Sequence, residues 1–191
     1  MPPPVLLLVD FQKGFEEIAA LIPRNNLGAE AHAMRLVGFW REAGMPVIHI
    51  RHDSTEAGSV LRPGTPGNAA MEFAAEAPGE PVLRRTVDSA FVGTDLAERL
   101  EALGRPDVVV AGIPTDHCVS TTVRMGASLG FRMLLAADAC FTFDRRGIDG
   151  RTIPAAEVHD VNLASLAGEF ARVVSSGALL AELRARAPAP P

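Results

Sequence analysis

The sequence predicts a three-layer α/β/α sandwich on a mostly parallel six-stranded sheet. Three observations carry this. Short apolar runs occur without polar alternation, as in strands buried on both faces, at Val5–Val9, Val47–Ile50, Pro81–Leu83, Val108–Ala111, Met133–Ala136 and Ala171–Val174. Segments of helical periodicity lie between them, which is the signature of βαβ units. The length of 191 residues, with 48% hydrophobic side chains, suits one core rather than two.

Taken in order, the first run ends at Asp10 and lacks a basic flank, which argues against a signal peptide. A helix is expected over about 27–43, leading into the second strand. Residues 54–79, rich in Gly, Pro and Ala, read as an irregular excursion beside the carboxyl ends of the strands. Further helices are expected over 93–103, 118–129, 155–168 and 176–186. Residues 1–187 form the single expected domain, and the Ala/Pro tail at 188–191 is expected to be disordered. No internal repeat is present.

Composition excludes several function classes. The formal net charge is −5 and the basic residues are scattered, so neither nucleic acid nor an anionic membrane is an expected partner. Two cysteines, Cys118 and Cys140, are too few for a disulfide framework and suit a reducing cytoplasm. No stretch approaches the roughly 20 apolar residues of a transmembrane helix. No G-x-G-x-x-G follows the first strand, so no dinucleotide cofactor is expected.

The run Gly112-Ile113-Pro114-Thr115-Asp116-His117-Cys118-Val119 reads as strand, turn and helix start, with Cys118 at the helix opening. Unpaired N–H groups and the positive helix end would favour a thiolate there. In open parallel sheets, ligands bind outside the carboxyl ends of the strands. Asp10 ends the first strand, His52 and Asp53 follow the second, Arg84 and Arg85 the third, and Cys118 the fourth. A carboxylate, a cation and a thiol at one rim suit nucleophilic catalysis, with Asp10 as base, Arg85 stabilising the thiolate and Cys118 attacking. His117 adjoins Cys118, but helical neighbours point about 100° apart, so the two do not form a Cys/His pair.

Asp10-Phe11-Gln12, Ser89-Ala90-Phe91-Val92-Gly93-Thr94-Asp95-Leu96, the run ending in Cys118, and the segments Ala156-Glu157-Val158-His159 and Gly168-Glu169-Phe170-Ala171 together resemble the isochorismatase-like cysteine hydrolases. The similarity covers nearly the whole chain. It implies the Rossmann-like isochorismatase hydrolase fold, a homo-oligomer (dimer or tetramer), and hydrolysis of a C–N bond in a small amide, ureido or lactam-like compound. The family uses an aspartate, a lysine and a cysteine, and by motif position Asp10 and Cys118 match two of them.

Two departures follow from the same resemblance. Arg85 occupies the lysine position, and arginine, with a pKa above about 12, keeps the charge but cannot hand over a proton. The family's cis bond precedes a residue whose N–H joins that of the cysteine in the oxyanion hole; here the bond is Ile113–Pro114, and proline eases the cis form but deletes the N–H. Phe11, Gln12, Phe91, Thr115 and Asp116 are the expected substrate contacts. Phe15, Leu61 and Ile113 could add apolar walls, and Arg84, His52 or Thr121 polar contacts. Nicotinamidase-type members hold zinc with one Asp and two His, but the Asp-x-His spacing is missing around His49, His52 and Asp53, so no metal is expected.

Overall fold

The computed structural model describes residues 2–186; the expected disordered tail lies outside them. Eight strands and six helices follow in the order β1 (Val5–Val9), α1 (Gly14–Ala19), α2 (Ala29–Glu42), β2 (Val47–His52), β3 (Val82–Arg85), α3 (Leu96–Ala102), β4 (Val108–Gly112), α4 (Ser120–Ser128), β5 (Met133–Cys140), β6 (Arg145–Arg146), β7 (Thr152–Ile153), α5 (Ala155–Leu166), β8 (Arg172–Val174) and α6 (Ser176–Arg186). Six of the strands form one parallel sheet in the order β3-β2-β1-β4-β5-β8, and β6 pairs with β7 in a separate antiparallel ribbon.

Side chains of a strand alternate between the sheet faces, and both faces are covered here. Leu6 and Leu8 of β1 join Leu36, Val37 and Trp40 of α2 and Leu179 and Leu180 of α6 in one core layer. Val5, Leu7 and Val9 join Leu96 and Leu100 of α3, Val123 of α4 and Leu166 of α5 in the other. The result is the three-layer sandwich read from the sequence.

Register fixes the functional rim. Val9 pairs with Ile50 on one side and Gly112 on the other, so β1 and β4 end together, and β2 and β3 run two residues further to the paired His52 and Arg85 at the same rim. The strand order reverses between β1 and β4, which makes their carboxyl ends a topological switch point, the place where open α/β sheets bind ligands. At Gly112 an added Cβ would stand 2.5 Å from the Val9 carbonyl oxygen, so the two strands approach in a way only glycine permits.

Several boundaries differ from the expected ones for local reasons. β2, β3 and β5 run further than their apolar cores, and His52 and Arg85 are strand residues. α3 starts at Leu96 rather than 93 because Gly93 takes a left-handed φ of 75°. Residues 54–79 contain only two 3₁₀ turns, Pro66–Asn68 and Glu72–Ala74. Helix α1 and the β6–β7 ribbon have no apolar periodicity long enough to announce them. Among the described residues no helix is long and apolar enough to cross a membrane.

Candidate active site

Asp10 leaves β1 with φ at +56°, a left-handed conformation that aspartate tolerates better than most side chains. Its amide donates to Ile50 O at 3.0 Å and its carbonyl accepts from Gln12 N at 2.7 Å, so the chain turns sharply and the carboxylate points inward. Arg85 reaches it from β3 and donates through Nη2 to Asp10 Oδ2 at 2.6 Å, with both side chains wholly buried. A second nitrogen, Nη1, lies 2.7 Å from His52 Nδ1, which therefore accepts from the guanidinium. Asp10 Oδ1 and Arg85 Nε are buried without a partner among the described residues.

Such orphaned atoms are costly, about 1–3 kcal/mol each and more on charged groups, so the pair is not explained by stability alone. Burial pushes the Asp10 carboxyl above the ordinary carboxylate range, although Arg85 pulls in the opposite direction. Burial also works against the Arg85 charge, but Asp10 and Cys118 more than compensate and hold the guanidinium protonated.

Cys118 does not open an α-helix. It lies within a five-residue π-helical turn, Thr115–Val119, that precedes α4. The helix-end argument for a thiolate therefore loses its geometry. Instead, burial and the neighbouring Asp10 push the Cys118 thiol far above its usual range, against the lowering influence of Arg85. The shift favours the thiol form, and the side chain is only 6% exposed. Its Sγ donates to Asp88 Oδ1 at 3.8 Å, from the loop after β3. Cys140 is wholly buried, and burial pushes its thiol to about 12.

The remaining expected contacts are mostly engaged in scaffolding. The Ile113–Pro114 bond is cis, and Ile113 is buried with its N–H on Val9 O at 3.0 Å. Gln12 is buried and clamps two segments: its Nε2 donates to His52 O and Asn68 O, both at 3.0 Å, and its Oε1 accepts from His52 N at 2.8 Å. Phe11 packs edge-on to Phe73 in the core, and Phe91 stacks on Phe131 and packs against the apolar cluster that contains Cys118. Thr115 is buried and shares a 2.8 Å hydrogen bond with His159 Nδ1. The Asp116 carboxylate is taken by Thr142 Oγ1 and by Arg145, whose Nε donates to Oδ2 at 2.7 Å. Burial would raise Asp116, but Arg145 and Thr142 outweigh it and hold the acid below its ordinary range.

Sequence reasoning missed Asp88, Asn68, His159 and Arg145. Asp88 stands one residue before the Ser-Ala-Phe motif, so its nearness to the site could have been inferred; His159 closes the Ala156-Glu157-Val158-His159 segment quoted for the family resemblance, and Asn68 and Arg145 have no local signal. Around the positions considered for zinc, His52 takes a guanidinium from Arg85, Asp53 takes one from Arg84 at 2.7 Å, and His49 Nε2 faces Glu80. Among the described residues no group of three His, Cys, Asp or Glu could hold a metal ion.

Comparisons with known proteins place the fold in a family. An isochorismatase-family protein from Chromobacterium violaceum superposes with a TM-score of 0.91 at 44% identity, covering 96% of this chain and 94% of the other. YrdC, an isochorismatase family protein of Bacillus subtilis, is 37% identical over 92% of this chain and 93% of its own. Nicotinamidase 3 of Arabidopsis thaliana is 29% identical over 88% of this chain and 83% of its own. The family thus includes hydrolases, some acting on amide bonds. The isochorismatase domain model matches residues 4–178, and the chain belongs to the isochorismatase family.

Proposed function

We propose that this chain is a cysteine-dependent hydrolase that cleaves a C–N bond in a small amide, ureido or lactam-like metabolite through a thioester. The observation that carries the reading is the wholly buried Asp10–Arg85 pair beside Cys118, with Asp10 Oδ1 left without a partner. Asp10 accepts the Sγ proton as the sulfur adds to the substrate carbonyl. The C–N bond then breaks, and Asp10 returns the proton to the leaving nitrogen. Water, deprotonated by Asp10, attacks the thioester; the C–S bond breaks and Cys118 recovers its proton. Arg85 keeps its proton throughout and offsets the negative charge.

Pro114 offers no N–H, so the Cys118 amide is left to face the developing oxyanion with one donor fewer than the family resemblance implies. A missing donor costs about 10² to 10³ in rate, which favours activated substrates over simple unactivated amides. Arg85 and Pro114 also favour a second reading, a member redirected to other hydrolysis or to binding.

One experiment separates the two. In a screen of amides, carbamoyl compounds and lactams, Cys118→Ala and Asp10→Asn should each lower turnover of the accepted substrate by about 10³ or more, with the melting temperature nearly kept in Cys118→Ala and lowered in Asp10→Asn, which leaves Arg85 buried without its counter-charge. No Cys118-dependent turnover anywhere, with a ligand that still raises the melting temperature, would select the binding reading. A homo-oligomer is part of the same proposal and is testable by sedimentation, and the two free cysteines support a reducing, cytoplasmic setting.

A further inference from the structure

Asp10, Asp53, Asp88 and Asp116 follow the carboxyl ends of β1 to β4, and three of the four are ion-paired. Asp10 takes Arg85, Asp53 takes Arg84, and Asp116 takes Arg145. Arg84 also donates to Asn68 Oδ1 at 3.1 Å, and Arg85 to His52, so neither guanidinium is free to turn toward the fourth acid. That fourth acid is Asp88. It is exposed, makes no ion pair among the described residues, and its contact is the Cys118 thiol at 3.8 Å. An uncompensated negative charge beside a nucleophile that must itself become negative is unfavourable for the free protein. It becomes favourable once a positive group binds, since the cation offsets Asp88 and removes the repulsion on the forming thiolate.

We infer that Asp88 is a specificity-determining residue that selects a substrate carrying an ammonium or guanidinium group close to the scissile C–N bond. The inference rests on the hydrolase reading for its chemistry and on the position of Asp88 for its charge preference. Asp88 acts on the bound substrate, not on the proton path, which runs through the buried Asp10. A cation seated at Asp88 also draws electron density from the neighbouring carbonyl, which helps a site with one fewer oxyanion donor. Substrate charge then serves both recognition and activation of the sulfur.

The test uses two arms, so that failure of the hydrolase reading leaves the second intact. In the first arm, Cys118 in the whole chain is modified by the cationic reagent 2-aminoethyl methanethiosulfonate and by its anionic counterpart, 2-sulfonatoethyl methanethiosulfonate, with Cys118→Ala as blank. The ratio of cationic to anionic rates should fall about tenfold in Asp88→Asn and be retained in Asp88→Glu. An equal ratio in wild type and Asp88→Asn overturns the inference. In the second arm, kcat/KM is measured on small amides bearing an ammonium, no charge or a carboxylate. Preference for the ammonium series, lost about tenfold in Asp88→Asn, supports the inference, and preference for neutral or anionic amides overturns it. If no amide in any series is turned over, the hydrolase reading fails and the reagent ratio alone decides the role of Asp88.

Discussion

Glu80 and Asp10 are each paired with an arginine at opposite ends of β3, and the two pairs differ in how many of their polar atoms are satisfied. Glu80 precedes the strand. It accepts from Arg41 Nε and Nη2 at 2.8 Å each, from His49 Nε2 at 2.7 Å and from Ala77 N at 2.9 Å. Arg41 above all, with the Ala77 amide and His49, holds its carboxyl down at about 2, against partial burial. Asp10, at the end reached by Arg85, has one oxygen paired and one orphaned, and burial moves its carboxyl upward. A carboxylate paired with an arginine is therefore fully satisfied at one end of the strand and left with a free oxygen at the other. Depth of burial, together with the number of donors offered to the carboxylate, decides the direction in which each acid is shifted.

Three experiments break or sharpen this contrast. The largest effect belongs to Arg85→Met. It leaves a buried carboxylate without its cation and should cost about 3–5 kcal/mol in urea unfolding at pH 7. A loss below about 1 kcal/mol would mean that Asp10 is already neutral, since removing a cation from a protonated acid costs little.

Next in size is the pH dependence of Cys118 alkylation. Because burial and Asp10 push the thiol up, its rate with iodoacetamide should still climb about tenfold per unit above pH 8.5, where a free cysteine levels off. A plateau at or below pH 8.5, read by peptide mapping to exclude Cys140, would show that Arg85 governs the sulfur after all.

The smallest effect is expected for Glu80→Gln, roughly 1 kcal/mol at neutral pH once solvent screening of Arg41 is allowed for. The folded-state carboxyl lies below its unfolded value of 4.5, so its contribution is present above that pH. It fades as pH falls from about 4.5 towards about 2, and variant and wild type should converge there. Divergence that grows on acidification would contradict the role of Glu80 as a satisfied clamp.

How much of this was legible in the sequence follows from the range of the interactions concerned. The six sheet strands are visible because strands buried on both faces need unbroken apolar runs, and Val5–Val9 and Val108–Gly112 supply them locally. Asp10, Arg85 and Cys118 are visible because each sits at the end of such a run. The protonation of Cys118 was not, since it depends on a π-helical turn where an α-helix is expected and on depth below the surface. Nor was the engagement of Asp116, which is set by Arg145, 29 positions away on a two-residue strand with no apolar pattern. Phe91 reads as a pocket wall from its motif, but its partner Phe131 lies beyond the next strand, where sequence gives no hint of the stack.

The close approach at Gly112 gives the site its ruler. The separation between the turn that carries Asp10 and the turn that carries Cys118 is set by main chain against main chain, where an added Cβ would lie 2.6 Å from Val9 Cβ. Spacing fixed in this way does not breathe with side-chain rotamers. Retuning this protein by mutagenesis should therefore leave Gly112 untouched and vary the loop around Asp88, where a change of side chain alters what is admitted without altering the gauge of the machine.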